Sequence, residues 1–296
     1  MSRRLALFVA VLALGCGKPK SDNGTKTPEP AVTPPVTAAP DSLPDAEGLL
    51  TAAVEASGGA KAYEALGTYY SEARMEMPQQ GLSFETHVWW DHGKYFMEVD
   101  MPGVGKSRVW SDGQVVTSED PINGRRVLEG REANQARWSN SVSLPLEWKK
   151  FFDTAETIGR REQDGKQLLD VKLSGKDGDT LVLSFDESSH LLAAQRFEQH
   201  SPQGMLPVEV AILEYKEIAG LKQPVKSELR MAIMSMSTTV TKFEPNAAID
   251  PKKLEVPPPE PHKVVNTPAA EPGKVKGKKT KGKAKDDGAA KDAGAK

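Results

Sequence analysis

The feature that most constrains the fold is a period-two alternation of apolar and polar residues that begins after Gly67 and continues through most of the chain. In the stretch TYYSEARMEM, one face carries Tyr69, Ala73, Met75 and Met77, whereas charged residues occupy much of the other. Successive side chains of an extended strand point to opposite faces, so this pattern is typical of a strand with one buried face. The alternation therefore predicts a mainly β protein.

Short turn sequences separate the alternating segments. Asp91-His92-Gly93 divides LSFETHVWW from KYFMEVDM, and Asp112-Gly113 lies within VWSDGQVV. Because Asp and Gly suit the backbone angles of tight hairpin turns, strands that are adjacent in sequence should pair antiparallel. The segments together predict about ten strands in an antiparallel meander.

Helical spacing replaces the alternation in two regions. The first, SLPDAEGLLTAAVEASGG, has Ser42 as a candidate N-cap and ends on a Gly-Gly pair, and a short helical run at residues 60–66 follows it. In the second region, residues 132–157, large apolar residues recur at roughly helical spacing, and Pro145 suits a first helical turn. We predict one or two helices that lie across the sheet in this second region.

Both ends of the chain differ in composition from its middle. Residues 18–44 are rich in Pro and Thr, residues 258–296 are rich in Lys, Ala and Gly, and neither segment contains an aromatic residue. Such segments bury too little apolar surface to offset the entropy lost on ordering. The composition therefore predicts a tether over residues 16–44, one folded domain over residues 45–257 and a disordered tail over residues 258–296.

The N-terminus has the anatomy of an export signal. Arg3 and Arg4 precede an apolar run that ends just before Gly15, and Cys16, the only cysteine of the chain, follows directly. The apolar run is too short for a permanent transmembrane helix. The sequence LALGC looks like a bacterial lipobox, and this resemblance implies a signal peptide over residues 1–15 and lipidation of Cys16. The alternative is an ordinary secreted protein that is cleaved near Gly15 and keeps a spare thiol.

Lipidation at Cys16 would place the protein at a membrane of the cell envelope. A thioether-linked lipid together with an amide-linked acyl chain is a two-signal anchor, which holds a protein stably at a bilayer. Gly17 follows the cysteine, whereas Asp at that position resembles an inner-membrane retention signal. We therefore expect a lipid-anchored protein at the outer membrane that faces the periplasm.

The sequence lacks the common motifs of catalysis and metal binding. It contains no GxSxG elbow, no GxxxxGK[ST] loop and no HExxH motif, and its five histidines are dispersed. A single cysteine cannot form an internal disulfide, and a metal site needs three or four converging ligands. The net charge of -2 does not indicate a nucleic-acid partner. We predict a protein that is not an enzyme and has no catalytic residue, metal or cofactor.

Three segments carry a resemblance to a known family. They are EYKEIAGLKQPVKSELR, GGAKAYEALGTYYSEARM and FEPNAAIDPKKLEVP, and the residues that agree include Tyr215, Ile218, Gly220, Leu221, Pro224, Ile249, Asp250, Pro251, Leu254 and Pro257. Together they resemble the outer-membrane lipoprotein-sorting-protein-like group, with the fold of LolA and LolB. The resemblance implies an unclosed half-barrel of about eleven antiparallel strands, a few helices that plug its concave side, and an apolar cavity for acyl chains.

These observations favour an anchored envelope lipoprotein whose half-barrel binds an acyl chain or a lipidated protein. Met and Trp are frequent on the apolar strand faces, and Met adapts to varied apolar ligands. The candidate lining residues are Met75, Trp90, Met97, Val99 and Phe152. The alternative is a non-catalytic interaction or sensor lipoprotein with a filled core. In that case the Lys-rich tail or the outer sheet face would contact an envelope protein or an anionic polymer.

Overall fold

The computed structural model describes residues 43–175, 177–201, 204–232 and 234–259. The predicted signal peptide and Cys16 lie outside the described residues, as do most of the predicted tether and tail. The domain boundaries drawn from composition therefore stay predictions.

The described part of the chain forms one antiparallel sheet of thirteen strands. Each strand pairs with its neighbours in the order β6-β5-β4-β3-β2-β1-β13-β12-β11-β10-β9-β8-β7. The strands are β1 Thr68–Met77, β2 Leu82–Asp91, β3 Lys94–Met101, β4 Gly105–Ser111, β5 Val116–Asp120, β6 Gly124–Val127, β7 Thr154–Gln163, β8 Lys166–Ser174, β9 Thr180–Asp186, β10 Leu192–Ser201, β11 Gly204–Ile218, β12 Leu221–Met231 and β13 Met234–Pro245.

The chain enters this sheet at its centre. From β1 it proceeds outward to the edge strand β6, crosses to the opposite edge at β7, and returns strand by strand to β13 beside β1. The β1–β13 pair extends from Tyr69 opposite Pro245 to Glu76 opposite Ser237, and its register shifts by one residue between Glu72 and Ala73. Because β6 and β7 do not pair with each other, the sheet stays open. The prediction of a mainly β, antiparallel, unclosed half-barrel is confirmed.

Two of the thirteen strands were not recognised from the sequence. Strand β6 contains only the four residues Gly124–Val127, two of which are arginines. Strand β7 alternates regularly between exposed and half-buried positions, but its inward residues include Thr157 and Gly159, which give little apolar signal. Edge strands often carry charged residues that discourage pairing with other chains, and such composition hides the alternation.

Four helices accompany the sheet: α1 Ala46–Ala56, α2 Ala60–Ala65, α3 Gly130–Ser139 and α4 Leu144–Glu147. The N-cap of α1 is Asp45, whose Oδ2 accepts a hydrogen bond of 2.8 Å from the Gly48 N–H, so the position of the helix start predicted at Ser42 is corrected. Pro145 lies in the first turn of α4, as predicted. None of the helices within the described ranges is long and apolar enough to cross a membrane.

The helical prediction for residues 132–157 is correct only in its first part. After α4, a 3-10 turn at Trp148–Lys150 leads through Phe151 and Phe152 into strand β7, which begins at Thr154. The apolar residues of this segment are buried against the sheet. A turn that leads out of a helix can bury residues at the same sequence spacing as the helix itself. Spacing alone therefore could not locate the end of the helix.

The helices fill one half of the concave face. Leu49 and Leu50 of α1, Trp138 of α3 and the loop residue Phe152 pack on the inner sides of β8 and β9. Leu173, Leu181 and Leu183 of these strands have no exposed surface. Burial at this density contributes roughly 25 cal/mol per Å² of apolar surface, so this cluster is the main core of the domain. Helices therefore plug the concave side, as the resemblance implied.

Asp186 stabilises the turn between β9 and β10. Its Oδ1 accepts hydrogen bonds from the Ser188 hydroxyl at 2.6 Å and from the N–H groups of Ser188 and Ser189 at 3.0 and 2.9 Å. The Ser188 hydroxyl bond is the largest influence, and these bonds together lower the pKa of Asp186 to about 2 despite its burial. The charged carboxylate is therefore favoured by folding.

We expect Asp186→Asn to change how stability depends on pH. A carboxylate with a lowered folded-state pKa stabilises the fold above its unfolded pKa and loses that contribution as the pH falls. Between pH 5 and pH 2, wild type should lose about 2 kcal/mol more unfolding free energy than the variant. Urea titrations at several pH values measure this difference. If the unfolding free energies of the two proteins fell in parallel with pH, the turn would not favour the charged form of Asp186.

Candidate functional site

An inner cavity of about 170 Å³ lies where α3 crosses strands β3 to β6. Its floor is apolar and consists of Tyr95 and Met97 of β3, Val109 of β4 and Leu128 after β6, while Ala136 of α3 lines its roof. Met97 lies directly opposite Val109 in the β3–β4 register, and the alternation along each strand turns both side chains to the concave side. We refer to this space as the inner cavity.

Tyr95 connects the floor of the inner cavity to its roof. It is only 1% exposed, and its hydroxyl donates a hydrogen bond of 3.0 Å to the Ala136 carbonyl oxygen in α3. Burial raises the pKa of Tyr95 above its ordinary value, so the phenol stays neutral and remains a donor. A second connection comes from Gln135 of α3, whose Oε1 accepts hydrogen bonds of 2.9 Å from both Gln199 Nε2 and the His200 N–H. These bonds hold α3 over the cavity.

The rim of the inner cavity is polar, and most of its charges are paired. Arg126 Nη1 donates to Glu132 Oε2 at 2.8 Å, and Glu119 accepts from Arg108 at 2.8 Å and from Arg125 at 2.7 Å. Asp120 instead accepts hydrogen bonds from the N–H groups of Ile122 and Asn123. Two buried polar atoms, Ser118 Oγ and Arg126 Nε, have no hydrogen-bond partner in the described part of the chain. The site thus combines an apolar floor with a polar rim, which suits a ligand with an apolar end.

The sequence-predicted lining residues are distributed over three separate clusters. Met97 lines the inner cavity, and Trp90 packs beside it in the cluster that contains Tyr95. Met75 and Val99 belong to a second cluster, which lies toward the opposite ends of strands β1 to β3. Phe152 belongs to the main core, with its ring centroid 6.3 Å from that of Trp138. The structure therefore brings Met97 and Trp90 together and leaves the other three elsewhere.

Methionines concentrate in the second cluster. It collects buried Met77, Met101, Met234 and Met236 around Phe84 and Val99, and half-buried Met75 and Met231 pack against them. The group lies at the ends of the β1–β2, β3–β4 and β12–β13 hairpins, where Met231 pairs with Met234. Unbranched thioether side chains fill irregular gaps well, so they close this end of the half-barrel.

Sequence reasoning missed Tyr95, Val109 and Leu128 as cavity residues. Tyr95 shares a face with Met97 in the alternating segment KYFMEVDM, whereas no face was predicted for Val109. They line the cavity because α3 lies across them. The position of α3 is fixed by long-range hydrogen bonds such as that from Tyr95 to Ala136. No local pattern carries that information.

The outer sheet face carries a row of stacked aromatic rings. Tyr70, Trp89, Phe96 and Trp110 lie opposite one another on β1 to β4, with successive centroids 5.1 to 5.2 Å apart. The Lys253 ammonium lies 3.6 Å from the centroid of the Trp89 ring, a cation–π distance. Cross-strand aromatic pairs stabilise a sheet, so this aromatic row strengthens the central strands.

Polar clusters elsewhere do not assemble a metal centre. Within the described ranges, no three His, Cys, Asp or Glu side chains are grouped so that they could hold a metal ion. The predictions that the chain is not an enzyme and uses no cofactor are not tested by this observation and stay predictions.

No protein-family model matches the chain, and no curated protein matches its sequence. Among solved structures, it is similar to a DUF1329 family protein from Desulfovibrio piger, with 13% identity, a TM-score of 0.48, and coverage of 71% of this chain and 97% of that one. A LolA superfamily protein from Nitrosomonas europaea gives the same four values. A domain named for outer membrane lipoprotein sorting, from Vibrio parahaemolyticus, has 12% identity, a TM-score of 0.46 and coverage of 71% and 97%. Proteins of the group that the sequence motifs resemble are therefore among the solved structures to which this chain is similar.

Proposed function

We propose that this protein is a lipid-anchored envelope protein whose half-barrel binds the end of an acyl chain, either free or attached to a lipidated protein. The observation that carries the proposal is the apolar floor of the inner cavity, formed by Tyr95, Met97, Val109 and Leu128 beneath α3. An acyl chain is apolar along its length and needs no hydrogen-bond partner there. Its burial is favourable by roughly 0.8 kcal/mol per methylene.

The size of the inner cavity limits what it holds. Its volume of about 170 Å³ is close to that of a cavity that holds one benzene molecule, and smaller than the 300 to 1,000 Å³ of typical drug-sized pockets. Only the terminal carbons of an acyl chain fit without movement of the protein. The rest of a longer chain would lie outside the inner cavity, unless α3 moved away from the strands and the bond from Tyr95 to Ala136 broke.

Filling the inner cavity with protein atoms tests this function. Val109 is buried in the floor, so Val109→Phe should place a ring in the space and weaken binding of a fluorescent fatty acid at least tenfold. Val115→Phe, at a position in the β4–β5 turn that is 42% exposed, is the matched control and should bind like wild type. Equal affinities for the two variants would place the ligand elsewhere. Absence of uptake by wild type, with no lipid seen by native mass spectrometry of the purified protein, would refute the function.

Anchoring is tested through the cysteine of the lipobox-like sequence. We expect Cys16→Ser to remove the acceptor of the lipid and to release the protein from the membrane fraction into the periplasmic or secreted fraction. Fractionation followed by immunoblotting measures the shift, with the unsubstituted protein as control. Retention of the variant in the membrane fraction would contradict lipid anchoring at Cys16 and the outer-membrane location that depends on it.

A second candidate function is an interaction or sensor lipoprotein, favoured by the filled half of the concave face. Helices and buried side chains around Leu183 and Trp138 cover that half of the concave face, and the aromatic row offers an outer surface beside Lys242 and Lys253. Deletion of residues 263–296 separates the two candidates. Loss of co-purified envelope proteins or anionic polymer with unchanged lipid content favours the interaction protein, and loss of lipid with Val109→Phe favours the acyl-binding protein.

A further inference from the structure

Arg137, in the last turn of α3, is a half-buried cation that has no bonded partner among the described residues. No hydrogen bond or ion pair joins its guanidinium to another residue of the described chain, and its Nε is buried. The neighbouring arginines differ: Arg126 is bonded to Glu132, and Arg131 lies 3.5 Å from Asp179. Burying part of a charge without a bonded counter-ion is unfavourable, so a guanidinium in this position is suited to bind an anionic group.

The Arg137 side chain borders a cleft of about 300 Å³, which we call the Arg137 cleft. The tips of two hairpin turns form one wall, at His92 and Gly113, and Asn140 and Ser141 of the α3–α4 connection form the other. Phe151 adds an apolar side. Five N–H donors in a planar fork make arginine well suited to a carboxylate or phosphate placed in such a cleft.

Other charges around the cleft are already neutralised. Glu147 accepts hydrogen bonds from Lys150 and from the Ser141 hydroxyl, and the His92 ring lies 2.5 Å from Asp91 Oδ1. On the far side of Arg137, Asp179 lies within 3.5 Å of both Arg131 and His200. No carboxylate of the described residues is bonded to Arg137, although its other side borders a polar space that Asp153, Asp177 and Asp179 also line.

The Arg137 cleft adjoins the inner cavity. Asn140 lines both spaces, and Trp90 in the wall of the cleft pairs across strands with Tyr95 in the floor of the cavity. Positions 136 and 137 are consecutive on α3, so the helix presents Ala136 to the cavity and Arg137 to the cleft. The two spaces therefore lie side by side around α3.

We propose that Arg137 binds the anionic group of the ligand, a carboxylate or a phosphate, while the apolar chain of the same molecule enters the inner cavity. This inference rests on the proposed acyl-binding function and specifies the chemical class of the ligand: an anionic amphiphile. The carboxylate of a free fatty acid and the phosphate of a lipid headgroup share this chemistry. The measured affinities for a carboxylate ligand and for a phosphate ligand decide which of these two is the natural source of the anionic group.

The test compares ligands that differ only in their head group. Dodecanoate, dodecyl phosphate and dodecanol are titrated into the purified full-length protein and into its Arg137→Gln variant, with binding measured by displacement of a fluorescent fatty acid or by calorimetry. Wild type should prefer the better anion over dodecanol by about tenfold, and Arg137→Gln should remove this preference while keeping its affinity for dodecanol. Arg137→Lys, which keeps the charge, should retain part of the preference.

Arg160→Gln is the matched control, because Arg160 is a half-exposed arginine of β7 that bonds to Glu187 at 2.8 Å, outside both spaces. A merely structural role of Arg137 at the helix C-terminus would lower the melting temperature of Arg137→Gln and leave the head-group preference intact. That result would overturn the proposal, as would equal binding of anion and alcohol by wild type.

The failure of this inference and that of the proposed function give different results. If dodecanol and the anions bind equally, the acyl site stands and the Arg137 assignment is wrong. If no amphiphile binds but inorganic phosphate binds wild type and not Arg137→Gln, the anion site stands without the acyl function. If neither amphiphiles nor inorganic phosphate bind, both are refuted.

Discussion

Gly58→Ala is expected to lower the free energy of unfolding by about 3 kcal/mol. Gly58 connects α1 to α2 with a φ of +127°, a backbone conformation that side chains rarely allow. A Cβ at this position would lie 2.4 Å from the Gly220 carbonyl oxygen in the β11–β12 turn. Since that atom belongs to backbone, the helix pair would have to move away from the sheet to relieve the contact.

Gly81→Ala separates the two causes of this effect. Gly81 also has a positive φ, of +66°, but a Cβ there would meet no atom within 4 Å. This control should therefore cost only about 1 kcal/mol, from backbone strain alone. Urea denaturation monitored by circular dichroism measures both variants. Equal costs for Gly58→Ala and Gly81→Ala would mean that α1 and α2 do not pack on the β11–β12 turn as described.

Trp138→Ala is expected to cost about 3 to 5 kcal/mol of unfolding free energy. The Trp138 side chain is 3% exposed, and its ring meets Phe197 edge to face with centroids 5.1 Å apart. Removing the indole leaves a void between α3 and the β8–β10 strands that the surrounding backbone cannot fully close. Because α3 is also the roof of the inner cavity, the same change should weaken acyl binding.

Trp138→Phe is the conservative control for this prediction. It keeps an aromatic ring in the void and should cost roughly 1 to 2 kcal/mol, with acyl binding close to that of wild type. Chemical denaturation and fatty-acid titration of the same preparations measure both effects. A cost below 1 kcal/mol for Trp138→Ala would contradict the packing of α3 against the main core.

The sheet was predictable because its determinants are local. Alternation along TYYSEARMEM and KYFMEVDM gives the direction of each side chain, and the hairpin at His92-Gly93 is formed by residues with φ angles of 46° and 86°. A register follows once the turn is known, because each strand pairs with the next along the chain. Period and turn chemistry together predicted an antiparallel meander in which Met97 and Val99 share a face, and the family resemblance supplied the unclosed half-barrel.

The candidate site was less predictable because it depends on contacts between distant segments. Tyr95 was recognisable as inward, but its bond to Ala136 depends on where α3 lies across the sheet. The unpaired state of Arg137 depends on Glu147 being bonded to Lys150 instead. Five inward residues were chosen from the sequence as one site, and the structure separates them because a wide sheet has several inner surfaces.

The pairing of β1 with β13 determines which contact completes the sheet. Strands β1 to β6 can pair as successive hairpins, but the free edge of β1 has no partner until β13, which begins at Met234, is in place. Closing a contact between segments so far apart in sequence costs more loop entropy than closing a hairpin, so we expect it to form late. An unpaired strand edge is a template for another chain, so aggregation competes with folding until β13 pairs with β1.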